Sequence, residues 1–341
     1  MTGLSPAVLV AASSGIGALA VTWAVLVATR RYQWVDHPNY RSAHARPMPT
    51  AGGLGIIAGY WVGLTAYGIS ATARMTPVHG GLLAGTVVLA FMVWDDWIRP
   101  LGVVEKLVLT VSASGAWLVV HSLPPQVDFP GWSLARPGWM VAVLCVLWIV
   151  AMCNATNFMD GIDGIVGGHT VLVAAASSLM LWHLEGPWEI ALALAAASGG
   201  FLVLNRPPAR IFMGDVGSHF IGFVLAVGGL AGMEHGLPLW LYAALNGSFF
   251  YDTGYTLARR GLRGDNLVQA HQKHLYQRLV TLGWSPAGVD ALVLLVDAVL
   301  AAGGCLWIFG NRTWGLAGLA FGLLLLIAGT LYVESQDDVF R

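Results

Sequence analysis

Long apolar runs alternate with short polar segments from one end of this chain to the other. About 20 apolar residues are needed to cross a bilayer as a helix, and run length is the basis for assigning spans. The first run covers about 7–29, and the next three cover about 52–70, 79–94 and 104–122. A Pro-rich stretch over 123–137 alternates weakly and predicts a short hairpin. Five more runs follow at about 138–153, 165–184, 188–204, 217–233 and 237–257. The last two lie at about 287–309 and 314–333. The 237–257 run contains Asn246, Gly247 and Asp252, which predicts a broken or protein-facing span.

Composition supports this reading. Of 341 residues, 57% are hydrophobic and 10% are charged, against about 25% charged in soluble domains. The expected fold is an all-α polytopic membrane protein of about eleven transmembrane helices. It is expected to form one integral membrane domain over 1–341, with 258–285 as a long polar loop within it. The first run lacks a basic segment before it, so it is expected to be a retained span. Cys145, Cys153 and Cys305 all lie in apolar runs and have no metal-type spacing.

Charge placement orients the chain. Eleven spans put the segments 30–51, 95–103, 154–164, 205–216, 258–285 and the C-terminal tail on one side. With Lys106, which lies just inside the 104–122 run, that side carries 14 of the 17 basic residues, and the other carries Arg74, Arg136 and Arg312. By the positive-inside rule the first side is cytoplasmic and the N-terminus is periplasmic. The net charge of −1 identifies no partner, and no nucleic-acid partner is expected.

Four polar constellations fall on that same side. In Asn154-Ala-Thr-Asn-Phe-Met-Asp-Gly-Ile-Asp-Gly164 a polar residue recurs every third position. A 3₁₀ turn would stack Asn154, Asn157, Asp160 and Asp163 in a row, whereas an α-helix would pair only neighbours. Two acids this close call for a metal ion, a basic side chain or a protonated partner between them, unless the stretch is simply a solvated loop. Asp95-Asp96 ends an apolar run, where one carboxylate can hold Mg²⁺ while the other acts as a base, and Lys106 follows close by. Phe212-Met-Gly-Asp-Val-Gly-Ser218 places Asp215 between two glycines at a helix start, as a metal ligand or an N-cap. His271-Gln-Lys-His274 lies among Arg259, Arg260, Arg263 and Arg278 and suits diphosphate better than zinc, because no further ligand is near in sequence.

In this order the motifs resemble the polyprenyl-phosphate N-acetylhexosamine-1-phosphate transferase family. The carriers are Asp36-x-Pro-Asn-x-Arg41, Pro49-x-x-Gly-Gly53, Asp95-Asp96, the 154–164 stretch, Asn205 to Ser218, and His271-x-x-His274. They cover roughly 36–278. The resemblance implies that sugar 1-phosphate passes from a UDP-N-acetylhexosamine to undecaprenyl phosphate in the bacterial inner membrane. Undecaprenyl-diphospho-sugar and UMP are the products, and the step would initiate O-antigen or a related envelope polysaccharide. It implies Mg²⁺ as cofactor, with Mn²⁺ second, and leaves a homodimer open. It makes Asp215 the principal metal ligand with Asp95, and Asp95 also the base, beside Asp96. Arg41, Lys106, Asn157, Asp160, Asp163, Asn205, Phe212 and Lys273 would bind substrate, with Asn205 and Phe212 near uracil. His271 and His274 would meet diphosphate or sugar. The resemblance leaves both direct attack and a covalent aspartyl intermediate open. The context Ala270-His-Gln-Lys-His-Leu275 looks more like the O-antigen-initiating branch than the phospho-MurNAc-pentapeptide translocase. That favours a smaller sugar such as GlcNAc, FucNAc or QuiNAc.

Two rivals stand beside this reading. Intramembrane prenyltransferases also hold magnesium on Asn/Asp motifs, but this chain has no second Asp-rich repeat of the right spacing. A transporter or lipid flippase would place charge at the midplane, where only Asp290, Asp297 and Asp252 are candidates. Asp290 and Asp297 share a face of the tenth run and have no assigned role.

Overall fold

The computed structural model describes residues 5–36, 47–70, 76–121, 124, 126–129, 132–134, 137–267, 269 and 271–336. Arg41, one of the expected substrate contacts, lies outside them.

Ten helices among the described residues are long and apolar enough to cross a bilayer. They are α1 (Pro6–Tyr32), α2 (Gly53–Ser70), the continuous Pro77–Trp97 segment, α5 (Val103–His121), α6 (Gly138–Met159), α7 (Ile165–His183), α8 (Trp188–Asn205), α9 (Asp215–Met233), α13 (Pro286–Ile308) and α14 (Arg312–Ser335). Within Pro77–Trp97, α3 (Pro77–Leu89) passes through a 3₁₀ turn at Ala90–Met92 into α4 (Val93–Trp97), which carries Asp95 and Asp96. The remaining expected span is divided into α10 (Leu239–Leu245) and α11 (Gly247–Leu262), which meet at Asn246. The 258–285 segment is not one loop. Helix α11 runs into it, ending on Arg259 and Arg260 as suits a helix C-terminus, and α12 (Leu275–Thr281) lies within it.

Burial sorts the helices into layers. Helix α9 is enclosed along its whole apolar length, with α2, α3, α6 and α8 against it. A helix that is apolar all round belongs at such a centre. Helices α1, α5 and α14 instead show large apolar side chains such as Trp23, Val104 and Leu331 on the outside, as expected for surfaces that meet lipid. Close backbone approach sets the centre. A Cβ on Gly53 would lie 2.2 Å from the Gly217 Cα, so the start of α2 fits against α9 only without a side chain there.

Two antiparallel ribbons complete the fold. β1 (Val35–Asp36) pairs with β2 (Met48–Pro49), with Val35 opposite Pro49. β3 (Val127–Phe129) pairs with β4 (Trp132–Leu134) in the expected hairpin region. Chain entry into α2 is tied to the segment before α9. Phe212 N–H donates to the Pro49 carbonyl at 2.8 Å, while Gly52 and Gly53 N–H donate to the Phe212 and Met213 carbonyls at 2.9 and 2.8 Å. This explains the Pro-x-x-Gly-Gly spacing, since the two glycines let one backbone lie directly on another.

Candidate active site

The N-terminus of α9 gathers the acids. Its first amides need acceptors, and the acceptor comes from α4. Asp96 Oδ1 accepts from the Asp215 N–H at 3.0 Å and Oδ2 from the Val216 N–H at 3.3 Å. Thr50 Oγ1 reaches Asp96 Oδ1 at 3.5 Å. Gly214 precedes this contact with φ +76°, a left-handed conformation that glycine adopts without strain. Asp215 is therefore the first residue of a helix whose cap is a carboxylate from another helix.

Lys106, near the start of α5, lies between the other two carboxylates. Its Nζ is 3.1 Å from Asp95 Oδ1 and 2.5 Å from Asp215 Oδ2. Asp95 Oδ1 also accepts from the Leu101 N–H at 2.5 Å. On the far side, Asn157 Nδ2 donates to Asp215 Oδ1 and to Ser218 Oγ, both at 3.0 Å. His219 sits four residues after Asp215 and turns Nδ1 onto its own helix at the Asp215 carbonyl, 3.0 Å away. Asp95, Asp96, Lys106, Asn157 and Asp215 thus form one network drawn from four helices.

The 154–164 stretch is not a single row. Helix α6 continues to Met159, and Asn154 turns back to the Val150 carbonyl at 2.8 Å. Asp160 ends the helix, and Asp163 and Gly164 make the turn into α7. Asp163 Oδ2 accepts from the Ala209 N–H at 2.8 Å, and Asn205 Oδ1 accepts from the Gly164 N–H at 3.1 Å. Asn205 Nδ2 then donates to the Ile211 carbonyl at 2.9 Å. Asp163 and Asn205 therefore lock the turn to the 205–211 segment, while Phe212 contributes its backbone to the ribbon with Pro49. Burial, with Asp215 and Asp163 nearby, pushes the Asp160 carboxyl up to about 7. Asp290 from α13 approaches the same turn, its Oδ2 lying 3.2 Å from where a Cβ on Gly164 would be.

The His271–His274 segment forms an arm beside this turn. Asp252 organises its root, accepting from the Leu275 and Tyr276 N–H groups at 3.0 Å each and contacting His274 Nδ1 at 3.0 Å. The Tyr276 hydroxyl donates to the Phe158 carbonyl at 3.1 Å and packs on Gly161. His271 stacks on His274 with ring centroids 5.0 Å apart. Burial, with His274, Arg260 and Lys273 nearby, brings the His271 ring down to about 4, so it is neutral at pH 7. Lys273 Nζ is 2.5 Å from Asp265 Oδ2, an ion pair that holds the Asp265 carboxyl below its usual range.

Sequence reasoning missed Thr50, His219, Asp252 and Tyr276 as parts of this machinery. The Asp215-x-x-x-His219 spacing was a usable signal, since residues four apart share a helix face. Asp252 marked its run as broken or protein-facing, but nothing local pointed to its partners, which lie 22–24 residues away.

Among the described residues, no group of three or more His, Cys, Asp or Glu side chains is arranged to hold a metal ion. Magnesium commonly takes one or two carboxylates and completes its shell with water and substrate phosphates. Asp95 and Asp215 supply such a hard-oxygen pair. The buried Asp215 Oδ2 has no hydrogen-bond donor aligned on it, and a cation, the Lys106 ammonium, already lies against it. The residues present fit a magnesium ion bound together with a phosphate substrate.

The family model for glycosyl transferase family 4 matches residues 78–233. A probable undecaprenyl-phosphate N-acetylglucosaminyl 1-phosphate transferase of Bacillus subtilis (strain 168) is 30% identical over 278 residues, covering 78% of this chain and 75% of the relative. A phospho-N-acetylmuramoyl-pentapeptide-transferase of Gloeothece citriformis (strain PCC 7424) is 30% identical over 280 residues, 74% of this chain and 73% of the relative. A decaprenyl-phosphate N-acetylglucosaminephosphotransferase of Mycolicibacterium smegmatis (strain ATCC 700084 / mc(2)155) is 27% identical over 340 residues, 89% of this chain and 82% of the relative.

Proposed function

The chain belongs to glycosyl transferase family 4, the polyprenyl-phosphate sugar-1-phosphate transferases, and on that premise we propose that it transfers an N-acetylhexosamine 1-phosphate from a UDP-sugar to undecaprenyl phosphate. It is a multi-pass membrane protein of the bacterial inner membrane. Family membership displaces the prenyltransferase and transporter readings. The proposed donor is a small UDP-N-acetylhexosamine such as UDP-GlcNAc, and the product would start O-antigen or a related polysaccharide. Support comes from the His271–His274 context and from the N-acetylglucosamine named for the Bacillus and Mycolicibacterium relatives. The 14-to-3 distribution of basic residues supports a cytoplasmic site, with α10 and α11 together making the ninth of eleven crossings and the N-terminus outside. We place the whole chain in one membrane domain whose 258–285 segment binds substrate.

One observation carries the reading. Asp95, Lys106 and Asp215 converge at the N-terminus of a helix, beside a turn lined by Asn157, Asp160 and Asp163. A helix N-terminus and an ammonium suit phosphates, and paired carboxylates suit the metal that accompanies them. Magnesium would be held by Asp95 and Asp215, where it would neutralise charge on the phosphates. An oxygen of the lipid phosphate attacks the phosphorus that bears the sugar. The bond from that phosphorus to the bridging oxygen breaks, and UMP leaves with the bridging oxygen. Asp95 takes the proton of a monoprotonated lipid phosphate, and Lys106 donates to the transferred group. Asp96 holds Asp215 in position. Asp160 and Asp163 line the nucleotide-sugar site, with Asn205 and Phe212 at the uracil. His271 acts as a neutral hydrogen-bond partner, and His274 and Lys273 meet diphosphate or sugar.

The test follows UMP release by purified enzyme with undecaprenyl phosphate, Mg²⁺ and a panel of UDP-N-acetylhexosamines. UMP that appears only with lipid, metal and one sugar establishes the transferase and its donor. Folded protein that releases no UMP with any donor overturns the reading.

A pH prediction follows from Asp160. Its folded-state value lies above the ordinary one, so its contribution to stability is complete below about 4 and is lost as pH rises through about 7. Donor binding needs the other, ionised form, which accepts hydrogen bonds. The KM for the UDP-sugar should therefore rise about tenfold from pH 8 to pH 6. Asp160→Asn should flatten that slope, and a slope that persists in the variant would assign the titration to another group.

A further inference from the structure

A second polar cluster lies deep among the helices, away from the acids at the end of α9. His169 on α7 and Asp297 on α13 are fully buried, 128 residues apart in sequence, with Nδ1 2.8 Å from Oδ2. His169 Nε2 is 3.3 Å from Asn246 Oδ1. The Asn246 amide is oriented by its own Nδ2, which donates to the Tyr242 carbonyl at 3.0 Å. Ser248 Oγ donates to Asp297 Oδ1 at 2.5 Å. Phe249 stacks on the His169 ring, 3.7 Å between centroids and 14° between planes.

These contacts converge on one place, the break between α10 and α11. Residues 246, 248 and 249 are each gripped by His169 or Asp297. A carboxylate and an imidazole in the apolar interior are costly to bury, so they persist only where they are mutually satisfied. The hydrogen bonds count the protons. Nε2 must carry hydrogen to meet the Asn246 oxygen, and one more proton lies between Nδ1 and Asp297 Oδ2.

Helix α11 leads from this grip to the arm. Asp252 lies one turn beyond Ser248 and Phe249, and it holds the Leu275 and Tyr276 amides and His274. Tyr276 in turn rests on Phe158 and Gly161, at the end of α6. The path from His169 to the Asp160–Asp163 turn is continuous and made of fixed hydrogen bonds and a ring stack.

We propose that His169 and Asp297 are positioning residues for the sugar-phosphate transfer: by gripping Asn246, Ser248 and Phe249 they set the direction of α11, and through Asp252 they hold the His271–His274 arm over the donor site. The assignment rests on the transferase reading above. It gives the tenth-span Asp297 a role and leaves Asp290 with the turn at Gly164. Geometry matters here more than charge. In Asp297→Asn the amide Nδ2 can donate to Nδ1 of neutral His169 while Oδ1 still accepts from Ser248, so the grip survives. Removing both partners with apolar side chains, His169→Phe with Asp297→Leu, leaves no unpaired charge but releases Asn246 and Ser248.

The experiment uses the full-length enzyme in nanodiscs. It reads steady-state kinetics, the melting temperature and amide hydrogen exchange at Leu275 and Tyr276. The double variant should melt close to the wild type, raise the KM for the UDP-sugar about tenfold with kcat changed less than about threefold, and exchange faster at both amides. Asp297→Asn should behave as wild type. Adding His274→Ala to the double variant should cost clearly less kcat/KM than His274→Ala costs the wild type, because both act through the same arm. A double variant with wild-type KM and wild-type exchange overturns the proposal, as does full additivity with His274→Ala or an Asp297→Asn enzyme as impaired as the double variant. If the double variant does not fold, Asn246→Ala, which deletes the Nε2 contact, takes its place with the same expected outcomes. A His274→Ala enzyme with unchanged kinetics overturns the arm's part in the transferase reading and this proposal with it. Failure of the double variant alone leaves the transferase reading intact.

Discussion

Asp215→Asn is expected to lower kcat about a thousandfold at saturating donor, lipid and Mg²⁺. The change conserves size and removes one negative charge where Lys106 sits 2.5 Å from Oδ2 and Asn157 donates to Oδ1. A bound metal contributes several kcal/mol of charge stabilisation in phosphoryl chemistry. Losing about 4 kcal/mol of it corresponds to about three decades in rate. The amide also leaves the partly buried Lys106 with Asp95 as its remaining carboxylate, which favours a closer Lys106–Asp95 pair and a weaker response to Mg²⁺. The check is UMP release across an Mg²⁺ titration, with a melting curve to show that the variant is folded. A folded variant within about tenfold of the wild-type kcat at equal Mg²⁺ would remove Asp215 from the reaction and require another ligand.

Gly214→Ala is the second large expected effect, and it leaves every charged residue of the site in the sequence. Gly214 has φ +76°, and a Cβ there would lie 2.4–2.6 Å from the carboxyl atoms of Asp96. With ψ 168° as well, Gly214 lies in a region essentially reserved for glycine, where an L side chain costs about 1–3 kcal/mol. Displacing Asp96 from the Asp215 and Val216 amides removes a helix cap, worth about 1 kcal/mol more. The start of α9 must then shift, and Asp215 shifts with it. Misplacement of a reacting group by about 1 Å costs about a hundredfold in rate. We therefore expect a lower Tm together with a kcat about a hundredfold below wild type, measured on the same preparation. A variant that melts lower but keeps its kcat would show that the cap stabilises α9 without aiming Asp215.

These two positions show how differently the parts of the site could be read in advance. Asp215 is legible because an acid between glycines at the edge of an apolar run is unusual wherever it occurs. The order of the motifs from Pro49 to His274 was legible too, and it led to the family that the comparisons support. The partner of Asp215 was not. Asn157 lies 58 residues earlier, and Asp96, which caps its helix, lies 119 residues earlier. Asp95-Asp96 reads as two equivalent acids, yet one faces Lys106 and the other holds backbone amides. Neighbouring residues on a helical turn point about 100° apart, and what each then meets depends on the helices packed around them.

By itself, the amino-acid sequence determined the long helices, most of their limits and the polar residue types available at their ends. It could do so because a bilayer leaves the backbone no solvent to bond with, so a long apolar run has to close its hydrogen bonds within one helix. The tertiary structure alone decided which helix ends meet, that Asp96 serves α9 and Asp252 serves α12, and that His169 and Asp297 close on the break at Asn246. Helices in lipid are alike in hydropathy, so nothing along the chain marks their neighbours. Close backbone packing, as between Gly53 and Gly217, and hydrogen bonds across helices select the neighbours.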